Sequence, residues 1–265
     1  MAIFTLSRQF GCGQELGRSI ASLMDYLYVD RQVILEDLRK VGPKWEDWAK
    51  ELDEHCPTFW ERNDWSFRGF AALIQSEILE YAVKDRVVIM GRGSNFLLDG
   101  IDSAYRVRLV GPAEYRIAVI MERDSLDLAT AQWLLKKTDT ERAGFIASIY
   151  GKQLDDQAGY DAIVDMSNTS MDDLIPQVIE VLNKKELVNT PEVKATLRMR
   201  AAAARVKAGI ATNPTFFLPV LDVCVAGDVL VMRGVTHTAK EHKRLKEEAT
   251  QLAGDVPIQF ALHYR

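Results

Sequence analysis

The sequence predicts an α/β fold, a mostly parallel sheet flanked by helices, followed by a small α+β domain. Three observations predict it. Short apolar runs, several ending in glycine-containing turns, recur as far as Asp165. Segments with apolar residues at helical spacing separate them. Past about residue 190 the alternation stops: a helix over Glu192 to Lys207 comes first, and the strand candidates Phe217 to Val225, Val229 to Arg233 and Pro257 to Tyr264 follow around a second helix, Glu241 to Ala253.

In chain order, Ala2 to Leu6 is the first strand candidate, and it leads through Ser7-Arg8-Gln9-Phe10 into Gly11-Cys12-Gly13. Leu16, Ile20, Ala21, Leu23 and Met24 recur at helical spacing, so a helix follows over Gln14 to Tyr26. Tyr26 to Val29 is a short second strand. Several helices fill Asp30 to about Asp85: one face carries Ile34, Leu35 and Leu38, and another carries Trp45, Trp48, Ala49 and Leu52. Gly42-Pro43 and Pro57 interrupt them. Phe70 to Val83 is an amphipathic helix. The continuous run Arg86 to Met90 suits a strand covered on both faces. Tyr105 to Val110 and Ala162 to Asp165 complete the strands. Helices are expected from Pro112 to Arg123, from Leu126 to Tyr150 and from Met171 to Leu182. Sequential strands joined by helices imply right-handed crossovers.

The chain has 265 residues, enough for one large domain or a main domain with a small one. The polar run Asn183 to Glu186 reads as the boundary, giving domains 1–185 and 190–265. A formal net charge of -5 disfavours a general nucleic-acid-binding role. No uninterrupted apolar run reaches the roughly 18 residues of a membrane span. No signal peptide is evident, and Cys12, Cys56 and Cys224 are few and far apart, so a cytoplasmic protein with free thiols is expected. The four histidines show no paired metal-ligand spacing, and no metal-ligating residues are assigned.

A strand, a glycine turn and a helix start together make an anion site: backbone amides turn inward and the helix end adds partial positive charge. A plain βα connection that uses glycine for tightness fits the same residues. A dinucleotide turn is a third reading, since Gly11-Cys12-Gly13 begins G-x-G-x-x-G, but Gly17 falls one position late and many helices follow a very short second strand. The standard phosphate loop carries lysine for the β/γ-phosphates and a hydroxyl for magnesium. Here Gln14 stands in the lysine place and Glu15 in the hydroxyl place, so charge must come from nearby arginines, with Arg8 and Arg18 the local candidates.

Six segments in order resemble the cytidylate kinase-like family, a branch of the P-loop nucleoside monophosphate kinases. They are Ser7 to Gly13 with Gly17-Arg18; Tyr28-Val29-Asp30-Arg31; Val88 to Gly93; Tyr115-Arg116 through Ile120 to Arg123; Lys136 to Ala143; and Gly159 to Asp161 with Val164-Asp165 and Ser167 to Thr169. The resemblance implies a P-loop NTPase-type parallel sheet and ATP-dependent phosphoryl transfer, with Mg2+, to a nucleoside monophosphate or related small acceptor. It implies that Arg8, Gly11, Cys12, Gly13, Gln14, Gly17 and Arg18 hold the donor phosphates. Asp30 and Arg31 would frame the acceptor and Arg92 would meet its phosphate. Lys137, Asp139 and Arg142 would lie on or beside a mobile lid. Positioning and charge neutralisation are what this chemistry needs. Read without the resemblance, Lys136 to Arg142 is a solvated charged helix face, Asp30 a helix N-cap, and the tryptophans packing. The departure at Gln14-Glu15 leaves a second expectation, a catalytically weak nucleotide-binding regulatory protein.

Residues 190–265 resemble a BON domain on the run Leu221 to Val235, a hairpin with an Ala-Gly-Asp turn ending in Arg-Gly, then a helix and a last strand. Such a module implies ligand or partner binding, or a homo-oligomer contact, without catalytic residues. An unrelated small α+β extension fits the pattern as well.

Overall fold

The structure, a computed structural model, describes residues 2–51, 55–218 and 220–264; Leu52 lies outside them. The elements in order are β1 (Ile3–Arg8), α1 (Leu16–Met24), β2 (Leu27–Val29), α2 (Arg31–Val41), α3 (Pro43–Glu51), α4 (Phe59–Asn63), α5 (Trp65–Lys84), β3 (Val87–Met90), α6 (Ser94–Leu97), β4 (Ala104–Val110), α7 (Ala113–Asp124), α8 (Leu128–Tyr150), β5 (Ala162–Asp165), α9 (Met171–Leu187), α10 (Pro191–Thr212), β6 (Leu221–Ala226), β7 (Val229–Thr236), α11 (Ala239–Ala253) and β8 (Ile258–Tyr264). They form two compact units, residues 1–59 with 84–190 and residues 60–83 with 191–265.

The first unit is built on a five-stranded sheet in the order β2-β3-β1-β4-β5, with every pairing parallel. One face of β1 carries Phe4 and Leu6. They join Val88, Val107 and Leu109 in a core closed by Leu16 and Ile20 of α1 and by Leu174, Val178 and Leu182 of α9. The other face carries Ile3, Thr5 and Ser7, which are also buried. Burial on both faces explains why these strands read as continuous apolar runs. The run Asn183 to Glu186, expected as a boundary, lies inside α9. There Lys184 pairs with Glu180 at 2.6 Å, one helical turn back.

In the second unit, β6 and β7 form an antiparallel hairpin, and β8 adds to β7 in parallel. Residues 60–83, mostly α5, group here although they precede β3 in the chain. Trp65 packs on Phe217, with ring centroids 4.8 Å apart, and Arg205 pairs with Glu80 at 2.6 Å. Leu230 and Met232 of β7 face Leu245 and Ala249 of α11 and Val206 and Ile210 of α10 in a separate core. Thr238 caps α11 by accepting from the Glu241 amide at 3.0 Å, while the Glu241 carboxylate accepts from the His237 amide at 2.7 Å. Among the described residues no helix is long and apolar enough to cross a membrane.

Candidate phosphate-binding site

The turn after β1 is folded by the residues beneath it. Gly13 has φ 47°, and a Cβ there would lie 2.2 Å from Leu109 Cδ1, so glycine is the residue the position accepts. A Cβ at Gly11 would lie 3.0 Å from the Arg116 carbonyl oxygen, and one at Gly17 would lie 2.5 Å from Met90 Sδ. These glycines let the turn and α1 settle closely on β3, β4 and α7. Cys12 is fully buried. Burial pushes its thiol from 9.0 up to about 11, against the opposing pull of Arg116. The thiol is therefore neutral at pH 8. Alkylation at that pH is expected to label exposed Cys56 and to reach Cys12 only after denaturation; peptide mapping would read this directly.

Helix α8 lies against this turn. The Phe10 amide donates to Asp139 Oδ1 at 3.3 Å, and Arg116 Nη1 donates to Asp139 Oδ2 at 2.5 Å. Arg142 Nη1 donates to the Arg8 carbonyl at 3.1 Å. Arg116 also donates from Nε to the Gly111 carbonyl at 2.9 Å, tying the start of α7 to the same place.

A cavity of about 350 Å³ opens beside the turn, at the C-terminal ends of β1, β2 and β3. Open parallel sheets bind ligands at that edge. Its wall includes the guanidinium-bearing residues Arg8, Arg18, Arg31, Arg92 and Arg142, with Gln14, Ser7, Tyr28 and Phe145. Among the described residues that line it the single carboxylate, Asp30, pairs with Arg18 at 3.4 Å. Each arginine reaches the wall by a different route: Arg8 ends β1, Arg18 is on α1, Arg31 opens α2, Arg92 follows β3, and Arg142 comes from α8. Five guanidinium groups give the wall donors suited to a polyanion.

Asp30 also caps α2, accepting from the Gln32 amide at 2.9 Å and the Val33 amide at 3.4 Å. Its two roles can be separated. Asp30→Ala should cost about 1 kcal/mol of stability through the lost cap, measured by chemical denaturation, whereas Asp30→Ser should restore the cap without restoring the Arg18 pair.

The structure therefore brings Arg8, Gln14, Arg18, Asp30, Arg31, Arg92 and Arg142 together on one cavity. Gly11, Cys12, Gly13 and Gly17 shape the adjoining turn and are not among the lining residues. Lys137 is not brought to the cavity: its ammonium lies 5.0 Å from the Trp133 ring centroid and 3.9 Å from Glu141. Asp139 is also off the cavity and is committed to Phe10 and Arg116. The segment expected as a lid is the middle of the uninterrupted 23-residue helix α8.

Two residues were missed by the sequence reading as members of the site. Arg123 Nη1 donates to Gln14 Oε1 at 2.8 Å, 109 positions away, and Arg116 clamps the turn through Asp139. Both stood within a recognised segment, but no local signal ties them to the turn. A guanidinium from the end of α7 therefore stands beside Gln14.

A parallel sheet in this order, a glycine turn entering a helix, and a cationic cavity at the strand ends define a nucleotide-binding, kinase-like fold. The sequence model of the cytidylate kinase-like family matches residues 3–168. The chain belongs to that family. An uncharacterized protein from Eubacterium ventriosum ATCC 27560 aligns at 18% identity and a TM-score of 0.55, over 69% of this chain and 98% of its own. A shikimate kinase from Bacteroides thetaiotaomicron aligns at 16% identity and a TM-score of 0.40, over the same 69% and 98%. No curated protein matches the chain.

Proposed function

We propose that the first unit transfers a phosphoryl group from ATP to a nucleoside monophosphate of the cytidylate type, or to a related small phosphate-bearing acceptor. The observation that carries this reading is the convergence of Arg8, Arg18, Arg31, Arg92 and Arg142 on one cavity beside the glycine turn. Transfer of a phosphoryl group needs positioned positive charge more than covalent help. The turn with Arg8, Gln14 and Arg18 suits the donor phosphates. Asp30, Arg31 and Arg92 suit the acceptor, and Arg142 on α8 suits the group in transit. Asp139 and Lys137 belong to helix α8, which covers the turn and shields it from water.

The anion-binding residues fit ATP. The oxygen donors fit a directly held Mg2+ poorly. Asp30 is engaged by Arg18, and among the described residues no three His, Cys, Asp or Glu side chains converge as a metal cluster. On this reading Mg2+ arrives bound to ATP's own phosphates, and no step is assigned to a protein-held metal.

The second reading is a catalytically weak nucleotide sensor. Gln14 in the lysine place and exposed Glu15 at the start of α1 favour it. In either case the second unit, with its hairpin-helix-strand order after α10, is read as a BON-like module that receives a ligand, a partner or a second copy. The setting in both readings is the cytoplasm. The test is a phosphoryl-transfer assay over a panel of nucleoside monophosphates, run beside ATP calorimetry. Turnover supports the kinase. Tight binding of ATP with no turnover on any acceptor supports the sensor, and no binding at all would remove both.

A further inference from the structure

The standard phosphate loop places a lysine where this chain has Gln14, and an amide alone brings no charge to a triphosphate. The residue in contact with that amide is a cation. Arg123 lies at the C-terminal end of α7 and donates from Nη1 to Gln14 Oε1 at 2.8 Å. Two further contacts fix its plane. Nε donates to Asp124 Oδ1 at 2.7 Å and Nη2 to Asp124 Oδ2 at 2.5 Å, a two-point grip on one edge of the fork. The guanidinium carbon also lies 5.1 Å from the ring centroid of Phe10, which is itself part of the turn. One edge is thus held by Asp124, one face lies over the turn, and the remaining Nη1 corner is aimed at the side chain in the lysine place.

We propose that Arg123, acting with Gln14, supplies the donor-phosphate charge that lysine supplies in the standard loop. The proposal rests on reading the turn as the donor site. Gln14 accepts from Arg123 through Oε1, which leaves its amide Nε2 hydrogens to donate to a phosphate oxygen. The pair then presents a donor at the turn and, one hydrogen bond behind it, a guanidinium that Asp124 orients and partly offsets. The pair is about one-third exposed on both sides, where attraction between neighbours is screened and a multiply charged phosphate competes well.

The chemistry predicts a specific non-additivity. If Arg123 and a lysine at position 14 do the same work, each makes the other redundant. Calorimetry with ATP and with inorganic tripolyphosphate on the full chain would compare wild type, Arg123→Gln, Gln14→Lys and the double variant. Arg123→Gln is expected to weaken both probes about tenfold, since it removes the cation that stands one hydrogen bond behind the Gln14 amide. Gln14→Lys should strengthen binding more in the Arg123→Gln background than in wild type, and Arg123→Lys should retain part of the affinity. Melting temperatures within about 2 °C would show that the variants are folded. Equal gains from Gln14→Lys in both backgrounds would overturn the proposal, as would an Arg123→Gln affinity within twofold of wild type, or a wild type that binds neither probe. Because the readout is binding, a protein that binds ATP but phosphorylates no acceptor would remove the kinase reading and leave this one standing.

Discussion

An Arg92→Ala variant is expected to lose roughly a thousandfold in kcat/KM for phosphoryl transfer while still binding ATP, an effect of the size seen when a positioned arginine leaves a phosphoryl-transfer site. On the transition-state scale that is about 4 kcal/mol. Arg92 is only 7% exposed, although it lines an open cavity. The backbone places it there. Met90 ends β3 in register with Leu6 of β1, and the chain then turns with φ 66° at Gly91, 58° at Arg92 and 73° at Gly93. A non-glycine residue with positive φ is uncommon, and such strain persists where surrounding contacts enforce it. Here Tyr150 supplies one such contact, its hydroxyl donating to the Arg92 carbonyl at 2.5 Å. The guanidinium carbon lies 6.0 Å from the Phe145 ring centroid, which limits its swing.

The loss should fall mainly on kcat and on the acceptor KM, with ATP affinity changed by less than about threefold, because the charges proposed for donor and acceptor sit on different elements. Arg92→Lys keeps the charge and loses the planar fork, so it should recover only part of the rate. It also guards against misreading a folding defect, since its stem still fills the buried space. Steady-state kinetics on both variants, with circular dichroism to confirm folding, would settle the matter. A rate within threefold of wild type for Arg92→Ala would place the acceptor phosphate elsewhere.

Much of this architecture was legible because parallel strands covered on both faces are mostly apolar. Val87–Met90 and Ile3–Leu6 announced themselves in that way. The glycine turn between β1 and α1 was legible as a turn, but Gly11-Cys12-Gly13 alone fitted a plain βα connection or a dinucleotide turn equally well. Composition alone showed Asp139 and Arg142 as a charged stretch, and the family resemblance placed them on or beside a lid together with Lys137. A helical reading of α8 puts Asp139 and Arg142, three apart, on one face, and sets Lys137 with Glu141 on another, where their 3.9 Å contact lies. That spacing could have separated the turn-facing pair from Lys137. Nothing local could have found Arg123 beside Gln14. The contact depends on how α7 packs after β4, a long-range outcome. The grouping of residues 60–83 with the C-terminal segment was hidden for the same reason. It depends on contacts such as Trp65 with Phe217, and no periodicity within α5 points to them.

Gly93→Ala is expected to destabilise the first unit by roughly 2–4 kcal/mol, combining overpacking with a left-handed backbone. An ideal Cβ at this position would lie 2.1 Å from Tyr150 Cε2, 2.6 Å from Cζ and 2.7 Å from Cδ2. Three ring atoms at such distances cannot be relieved by rotating one flexible end; the whole ring has to move. Tyr150 is held by Phe96, its ring centroid 5.9 Å away, and by its bond to the Arg92 carbonyl. Pushing the ring aside therefore breaks a contact that holds the Arg92 turn, so activity and stability should fall together. Thermal melting would show a drop of about 5–15 °C for a unit of this size. A double-mutant cycle isolates the cause. Tyr150→Ala removes the ring, so Gly93→Ala added to it should cost only the backbone term of about 1 kcal/mol. Should Gly93→Ala cost as much in the Tyr150→Ala background as in wild type, the steric account is wrong. Should it melt with wild type in the first place, Tyr150 does not cover this turn in solution.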